Sequence, residues 1–186
     1  MRIISGDARG RSLTAPGGED TRPTGDKARG ALFNILGTRV RGAAVLDLFG
    51  GTGALALESL SRGAAQAVIV DHAEAAIRAI RRNAEAVVGA GSARVAVIRA
   101  DYRAALERLP AQTRFDLVFL DPPYRMREAY ADALARLRER NLLAEDCVIV
   151  CERAQELPPV QAEGFEIYDT RRYGAAGIDF LKEIRP

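Results

Sequence analysis

The chain has no tryptophan, a single histidine, two cysteines and two methionines in 186 residues, and only 6% of it is aromatic. One imidazole, His72, and two thiols cannot assemble a familiar zinc spacing, so no metal site is expected. Cys147 and Cys151 lie in one apolar run, CVIVC, that reads as a strand. Four strand residues span roughly 13 Å, too far for a disulfide within that strand, so both thiols are expected in the core. No apolar run approaches the length that crosses a bilayer, and the basic opening MRIISGDARGRS lacks the apolar stretch of a signal peptide. The expected address is the cytoplasm, with no membrane partner. At 48% hydrophobic and 28% charged, the composition is that of an ordinary globular protein of one domain.

Lysine is scarce as well: 25 of the 27 basic residues are arginine, whose planar fork suits phosphates and base edges. The net charge of +2 conceals an uneven distribution. Residues 1–41 carry Arg2, Arg9, Arg11, Arg22, Lys27, Arg29, Arg39 and Arg41 against Asp7, Glu19, Asp20 and Asp26. This local excess suggests an anionic partner.

Beyond residue 43 the chain alternates. The apolar runs AAVLDLF, QAVIVD, RVAVIRAD, FDLVFLD and DCVIVCE read as strands. Between them lie GALALESLSRG, AEAAIRAIRRNAEAVV, YRAALERL and REAYADALARLRER, which have helical spacing. Near-continuous apolar strands joined by helices predict a parallel sheet covered on both faces, an α/β fold. The last stretch, FEIYDTRRYGAAGIDFLKEI, offers two strands and a glycine turn, a closing antiparallel hairpin. At the other end RIISG and GRSLTAP suggest a small hairpin, and DKARGALFNIL a helix with Ala28, Ala31, Leu32, Ile35 and Leu36 on one face. Residues 1–41 are thus expected as a hairpin-and-helix extension on a domain spanning 42–186.

The chemistry is signalled by where the strands stop. Four end in Asp47, Asp71, Asp101 and Asp121, and the fifth in Glu152. In an open α/β sheet, ligands bind outside the carboxyl ends of the strands. An Asp before a helix is also a favoured N-cap, so no single one decides the matter; together they mark a binding edge. The turn DLFGGTGALA supplies Gly50, Gly51 and Gly53 in front of a helix N-terminus, and GTGALA satisfies the dinucleotide fingerprint. Asp47, three residues before Gly50, argues against an NAD-binding oxidoreductase, because a carboxylate there repels pyrophosphate. It suits a cationic, phosphate-free ligand such as S-adenosylmethionine, with Asp71 on the ribose hydroxyls and Asp101 on the adenine amine.

The fourth strand ends in Asp121-Pro122-Pro123-Tyr124. Two prolines remove two backbone donors and fix two φ angles, so the carboxylate and the free carbonyls are held rigidly. The exocyclic amine of a base is a poor nucleophile, its lone pair being delocalised into the ring. Acceptors on its two N–H groups, the Asp121 carboxylate and the Pro122 carbonyl, favour a pyramidal nitrogen aimed at the methyl group. Tyr124 would stack on the base, which must be unpaired or flipped out.

DLFGGTG with DPPY resembles a class I methyltransferase acting on an amine nitrogen. MRIISGDARGRSL, TRPTGDKARGALFNIL and LESLSRGA are similar to the RsmD family of bacterial 16S ribosomal RNA guanine-N2 methyltransferases, and the resemblance runs nearly end to end. It implies a Rossmann-like, seven-stranded, mostly parallel sheet, S-adenosylmethionine as methyl donor with S-adenosylhomocysteine as product, and 16S rRNA in the small ribosomal subunit as substrate. By position it implies a cofactor site of Asp47, Phe49, Gly50, Gly51, Gly53, Asp71, His72, Asp101 and Tyr102. The target site is Asp121, Pro122, Pro123 and Tyr124. Arg2, Arg9 and Arg11 are expected to grip RNA phosphates, and Arg22 and Thr24 to lie over the cofactor or the target nucleotide. Tyr173 and Gly174 are expected near the site, and a monomer is expected. The sequence departs from the family pattern in having Asp71 where many relatives have Glu, and Gly30 where an acid is usual. A DNA adenine or cytosine amino-methyltransferase with the same DPPY core, and a non-catalytic RNA-binding factor, are the rival readings.

Overall fold

The computed structural model describes residues 1–16, 25–123 and 125–185. Seven strands form one sheet: β1 (Ala44–Asp47), β2 (Gln66–Asp71), β3 (Val95–Arg99), β4 (Phe115–Leu120), β5 (Leu143–Ala154), β6 (Phe165–Tyr173) and β7 (Ala176–Glu183). Helices α1 (Asp26–Leu36), α2 (Ala54–Ser61), α3 (Glu74–Val88), α4 (Tyr102–Arg108) and α5 (Glu128–Glu139) pack against it. The strand order is β3-β2-β1-β4-β5-β7-β6. The first five strands run parallel, and β7 is antiparallel to both β5 and β6. Chain order reverses between β1 and β4, which is the switch point where such sheets open a crevice.

The two-residue period of the strands sorts their side chains into two cores. Val45, Leu117, Phe119, Val148, Val150, Ile178 and Phe180 join Leu32, Phe33, Leu57, Leu60, Ile77 and Ile80 from α1, α2 and α3. Leu46, Val118, Leu120, Ile149, Cys151 and Leu181 join Leu106, Ala133, Leu134 and Leu137 from α4 and α5. Cys147 and Cys151 are buried free thiols, as their apolar run suggests. Among the described residues no helix is long and apolar enough to cross a membrane.

The elements fall close to where periodicity puts them, with three adjustments. β5 runs from Leu143 to Ala154 and so continues past Glu152. The N-terminal hairpin is a tight turn closed by one antiparallel bridge, Arg2 with Ser12. The buried face of α1 is Arg29, Leu32, Phe33 and Leu36, whereas Ile35 is exposed. The rotation of α1 follows from Arg29. Its guanidinium is drawn inward by the Arg2 carbonyl, by Asp26 and by Glu58, and Phe33 turns in with it. Gly30 sits on the same helix, and a Cβ there would meet the Ile4 methyls at 3.8 Å, an ordinary contact.

Residues 1–16 are bound into the body. Ile3, Ala8 and Leu13 belong to the same core as Val45 and Phe119. The fully buried Glu58 of α2 accepts the Ile4 N–H at 2.7 Å, the Ser5 N–H at 3.0 Å and the Arg62 Nε–H at 2.7 Å. Ser61 accepts the Ala8 N–H and donates to the Ser5 carbonyl. Gly6, at φ +86°, approaches so closely that a Cβ would lie 1.8 Å from the Ser61 carbonyl oxygen. Truncating Glu58 strips two backbone donors and Arg62 of their buried acceptor and removes the carboxylate 3.9 Å from Arg29. Glu58→Ala is expected to cost about 3–5 kcal/mol, read by urea unfolding. It should also raise hydrogen exchange at the Ile4 and Ser5 amides above that of the α5 amides.

Candidate active site

At the carboxyl edge of the sheet, where β1 and β4 diverge, lies a cavity of about 770 Å³. It is lined by Asp47, Phe49, Gly50, Gly51, Asp71, His72, Asp101, Tyr102, Asp121, Pro122 and Pro123, all of them read from the sequence as site residues. Met1, Ala15, Arg29, Thr52, Met126 and Glu152 add to the wall. A cavity of this size holds a ligand of cofactor dimensions. Tyr124, Arg22 and Thr24 lie outside the described residues. Gly53 stands behind the wall, at the start of α2.

The glycine turn is fixed by its neighbours. The Gly50 N–H donates to the Val70 carbonyl at 2.8 Å, and a Cβ on Gly50 would lie 2.5 Å from an Ile69 methyl. Only a residue without a side chain fits that approach to β2. Gly53, at φ +77°, turns the chain into α2. Asp71 clamps the turn from the side: one carboxylate oxygen accepts the Gly51 N–H at 2.9 Å, the other the Ala73 N–H at 2.8 Å. Each oxygen keeps a further lone pair for a ligand hydroxyl. Asn83 of α3, which periodicity alone assigns no role, donates to the Thr52 and Thr14 carbonyls and accepts the Thr14 N–H. It thereby ties the glycine turn to the N-terminal segment.

Asp101 caps α4 by accepting the Arg103 N–H at 3.0 Å, so it combines a cap with a place on the cavity wall. The ring of Tyr102 lies 5.3 Å from that of Phe49, and its hydroxyl donates to Asp132 at 2.6 Å. Burial together with this acceptor raises the Tyr102 hydroxyl well above its ordinary range. The two rings, tilted 46° to each other, put aromatic surface on the cavity wall that Asp101 also lines. His72 is mostly exposed, with Nδ1 3.7 Å from Asp71.

On the far side, the Pro123 carbonyl accepts the Met126 N–H at 2.7 Å. Among the described residues, no backbone N–H donates to the Pro122 carbonyl. Asp121 is pushed well above the ordinary carboxylate range, by desolvation first and then by the negative charges of Glu152 and Asp47. Glu152 is buried on β5, and the Tyr130 hydroxyl donates to its backbone carbonyl. The sequence placed Glu152 at the sheet edge but not its electrostatic link to Asp121. Tyr173, expected near the site, packs against the core on the α1–α3 side and does not line the cavity. Among the described residues no group of acids, thiols and imidazole has the arrangement of a metal site.

Asp47 is 2% exposed, and desolvation, with a smaller contribution from Asp71, lifts its pKa from 3.8 to about 7. The site is thus an acid-lined cavity in which burial and neighbouring acids disfavour the charge of Asp47 and Asp121.

This sheet order, with a glycine turn after β1 and acids at the strand ends, defines a Rossmann-like methyltransferase fold. The chain superimposes on an Escherichia coli protein assigned as a methyltransferase, yhhF, with a TM-score of 0.82, at 32% identity, covering 98% of this chain and 97% of that one. It also shares the fold of SMU.776, assigned as a methyltransferase and solved with S-adenosylhomocysteine, with a TM-score of 0.67 at 16% identity, over 84% of this chain and 49% of that one. Residues 1–182 match the family described as Conserved hypothetical protein 95. Ribosomal RNA small subunit methyltransferase D of Escherichia coli is 38% identical over 164 residues, covering 87% of this chain and 80% of the relative. The chain belongs to this family, the RsmD family.

Because the folded pKa of Asp47 lies above its unfolded value, the folded protein holds the extra proton between pH 3.8 and about 7. Its contribution to stability is therefore fully present below that window and is lost as pH rises through it. The rise corresponds to on the order of 4 kcal/mol against the ionised form. Asp47→Asn is expected to leave stability at pH 3.5 nearly unchanged and to raise it by about 1–3 kcal/mol at pH 7.5. Urea unfolding of both proteins across this range checks it; parallel pH profiles would show that Asp47 carries no such strain.

Proposed function

We propose that the protein transfers a methyl group from S-adenosylmethionine to the exocyclic N2 amine of a guanine in 16S ribosomal RNA, within the small ribosomal subunit or an assembly intermediate in the bacterial cytoplasm. The observation that carries this reading is that Asp47, Asp71, Asp101, Asp121 and Pro122 all line one cavity. The name of the Escherichia coli relative, a methyltransferase of small-subunit ribosomal RNA, supports the substrate.

The residues present fit the donor. S-adenosylmethionine supplies an electrophilic methyl group on a positive sulfur and carries no phosphate. Asp47, desolvated beneath the glycine turn, is the partner for its ammonium. The lone pairs left on Asp71 suit ribose hydroxyls. Phe49 and Tyr102 offer aromatic surface for the adenine, and Asp101 an acceptor for its amine. Opposite them, Asp121 and the Pro122 carbonyl accept the two N–H groups of the target amine and hold its lone pair toward the methyl carbon. The raised basicity of Asp121 lets it take the proton that the amine gives up. Met1 and Ala15 of residues 1–16 line the cavity, so this segment covers the cofactor, and its exposed Arg9 and Arg11 face outward for RNA phosphates.

Transfer of labelled methyl to small subunits lacking the modification, to naked 16S RNA, to DNA and to protein extract tests the reading. N2-methylguanosine in the ribosomal samples is expected; label in DNA or in protein would overturn the substrate. Asp121→Ala is expected to keep the affinity for S-adenosylhomocysteine within about threefold while lowering turnover by at least about a hundredfold. Unchanged turnover would remove Asp121 from the reaction. Charge reversal at both Arg9 and Arg11 is expected to weaken subunit or RNA binding and to flatten its salt dependence, with cofactor affinity unaltered.

A further inference from the structure

We propose that Arg29 is the anion-binding residue of the methyl-donor site and that it holds the carboxylate of the donor's amino-acid end. This rests on the proposed use of S-adenosylmethionine and adds a residue that the acids of the strand ends do not supply.

A guanidinium carries five N–H donors in a fixed fork and has no acceptor of its own. In Arg29 the Nη2 group donates to the Arg2 carbonyl and, at 3.0 Å, to Asp26. Nε stands 3.9 Å from Glu58, which is Coulombic contact without a hydrogen bond. Among the described residues, Nε and Nη1 are buried without any hydrogen-bond partner. The side chain is 0% exposed, yet Arg29 is on the wall of the cavity. Buried donors are nearly always paired in folded proteins, and unmet ones on a charged group are costly. An acceptor therefore belongs in front of Nη1, and the cavity is the space from which it can come.

The chemistry of the wall narrows what that acceptor is. The side chains that line the cavity bring five carboxylates, Asp47, Asp71, Asp101, Asp121 and Glu152. Their basic companions are Arg29, the exposed Arg125 and the exposed imidazole of His72. Arg29 is the buried cation among them. A donor with one ammonium and one carboxylate needs a counter-charge of each sign within a few ångströms. Asp47 answers the first and Arg29 the second, and both line the same cavity. Charge-assisted bonds from an arginine fork to a carboxylate are among the strongest that a site can make. The placement of Arg29 on α1 also joins the N-terminal segment to the donor, because the same guanidinium holds the Arg2 carbonyl.

The test is a cycle of two ligands and three proteins by titration calorimetry. The ligands are S-adenosylhomocysteine and its decarboxylated analogue, which keeps the amine and the nucleoside. The wild-type protein is expected to bind the decarboxylated analogue at least about thirtyfold more weakly. Arg29→Met is expected to weaken S-adenosylhomocysteine by a similar factor while leaving the analogue within about threefold, so that the discrimination collapses. Arg29→Lys, which keeps the charge and loses the fork, is expected to fall between the two. Thermal unfolding of each variant reports its fold. Should Arg29→Met not fold, the wild type and Arg29→Lys still decide.

Discrimination under threefold in the wild type overturns the proposal whatever the variants do. Equal weakening of both ligands in the variants overturns it too and makes Arg29 a structural residue. Loss of RNA binding with the ligand discrimination intact overturns it and assigns the guanidinium to an RNA phosphate. Absence of binding by either ligand to the wild-type protein would instead remove the donor reading itself, which keeps the two failures distinct.

Discussion

The rest of the structure depends on one electrostatic constraint. Parallel strands carry their carboxyl ends to one edge, and here β1, β2 and β4 and the segments around them bring acids to that edge. Burial disfavours the charge of Asp47 and of Asp121; Asp71 adds to this at Asp47, and Glu152 and Asp47 add to it at Asp121. A fold selected for stability alone would place apolar residues or amides there. The acids are retained where they oppose the empty state and favour a cationic occupant, a familiar pattern of binding sites that cost their own fold stability.

The glycine turn and the N-terminal segment are organised around that edge through a second set of buried polar groups. Asp71 fixes Gly51, and Asn83 spans from Thr52 to Thr14. Glu58, one turn into the helix that follows the glycines, holds Ile4 and Ser5. These contacts put the cofactor turn and the basic N-terminal segment into one hydrogen-bonded unit. The two segments are thus joined directly, through Asn83 to Thr52 and through Glu58 to α2. Low-dielectric surroundings make each link costly to break singly.

The sheet was legible from the two-residue period of its strands, and the candidate site from the acids that end them. Both are local patterns, and topology brought them together at the β1/β4 switch point. What was not legible depended on partners distant in the chain. The buried face of α1 reads from apolar spacing as Ala28, Ala31, Leu32, Ile35 and Leu36. It turns instead on Arg29, whose burial is made tolerable by Arg2, Asp26 and Glu58. Asn83 looks like a polar interruption in α3 until Thr14 and Thr52 are seen on either side of it. β7 carries Asp179 within an apolar run, and only its bidentate pair with Arg153, at 2.7 and 3.1 Å, explains a carboxylate in the sheet interior. That pair, joined by Thr170 and the Val160 N–H, holds Asp179 below the ordinary carboxylate range, the opposite of Asp47 and Asp121. The same residue type is thus driven in opposite directions by whether its partners are present in the chain or must arrive with a ligand.

That contrast bears on the proposed reaction. Methyl transfer removes one positive charge from the cavity when the sulfonium becomes a thioether, and it liberates one proton at the amine. If the proton left for solvent at once, the acids at the edge would lose a cation and face each other unscreened. Asp121, pushed upward by burial and then by Glu152 and Asp47, is in the proposed reaction the acid beside the amine that would take up that proton. Protonation of Asp121 neutralises one acid as the sulfonium disappears, so the net charge of the cavity stays constant across the step. The burial and repulsion that raise Asp121 would then favour its uptake of the proton from the product amine. An amide at position 121 could accept one N–H of the target but could not take up that proton, so under the proposed reading the aspartate serves both as acceptor and as proton sink.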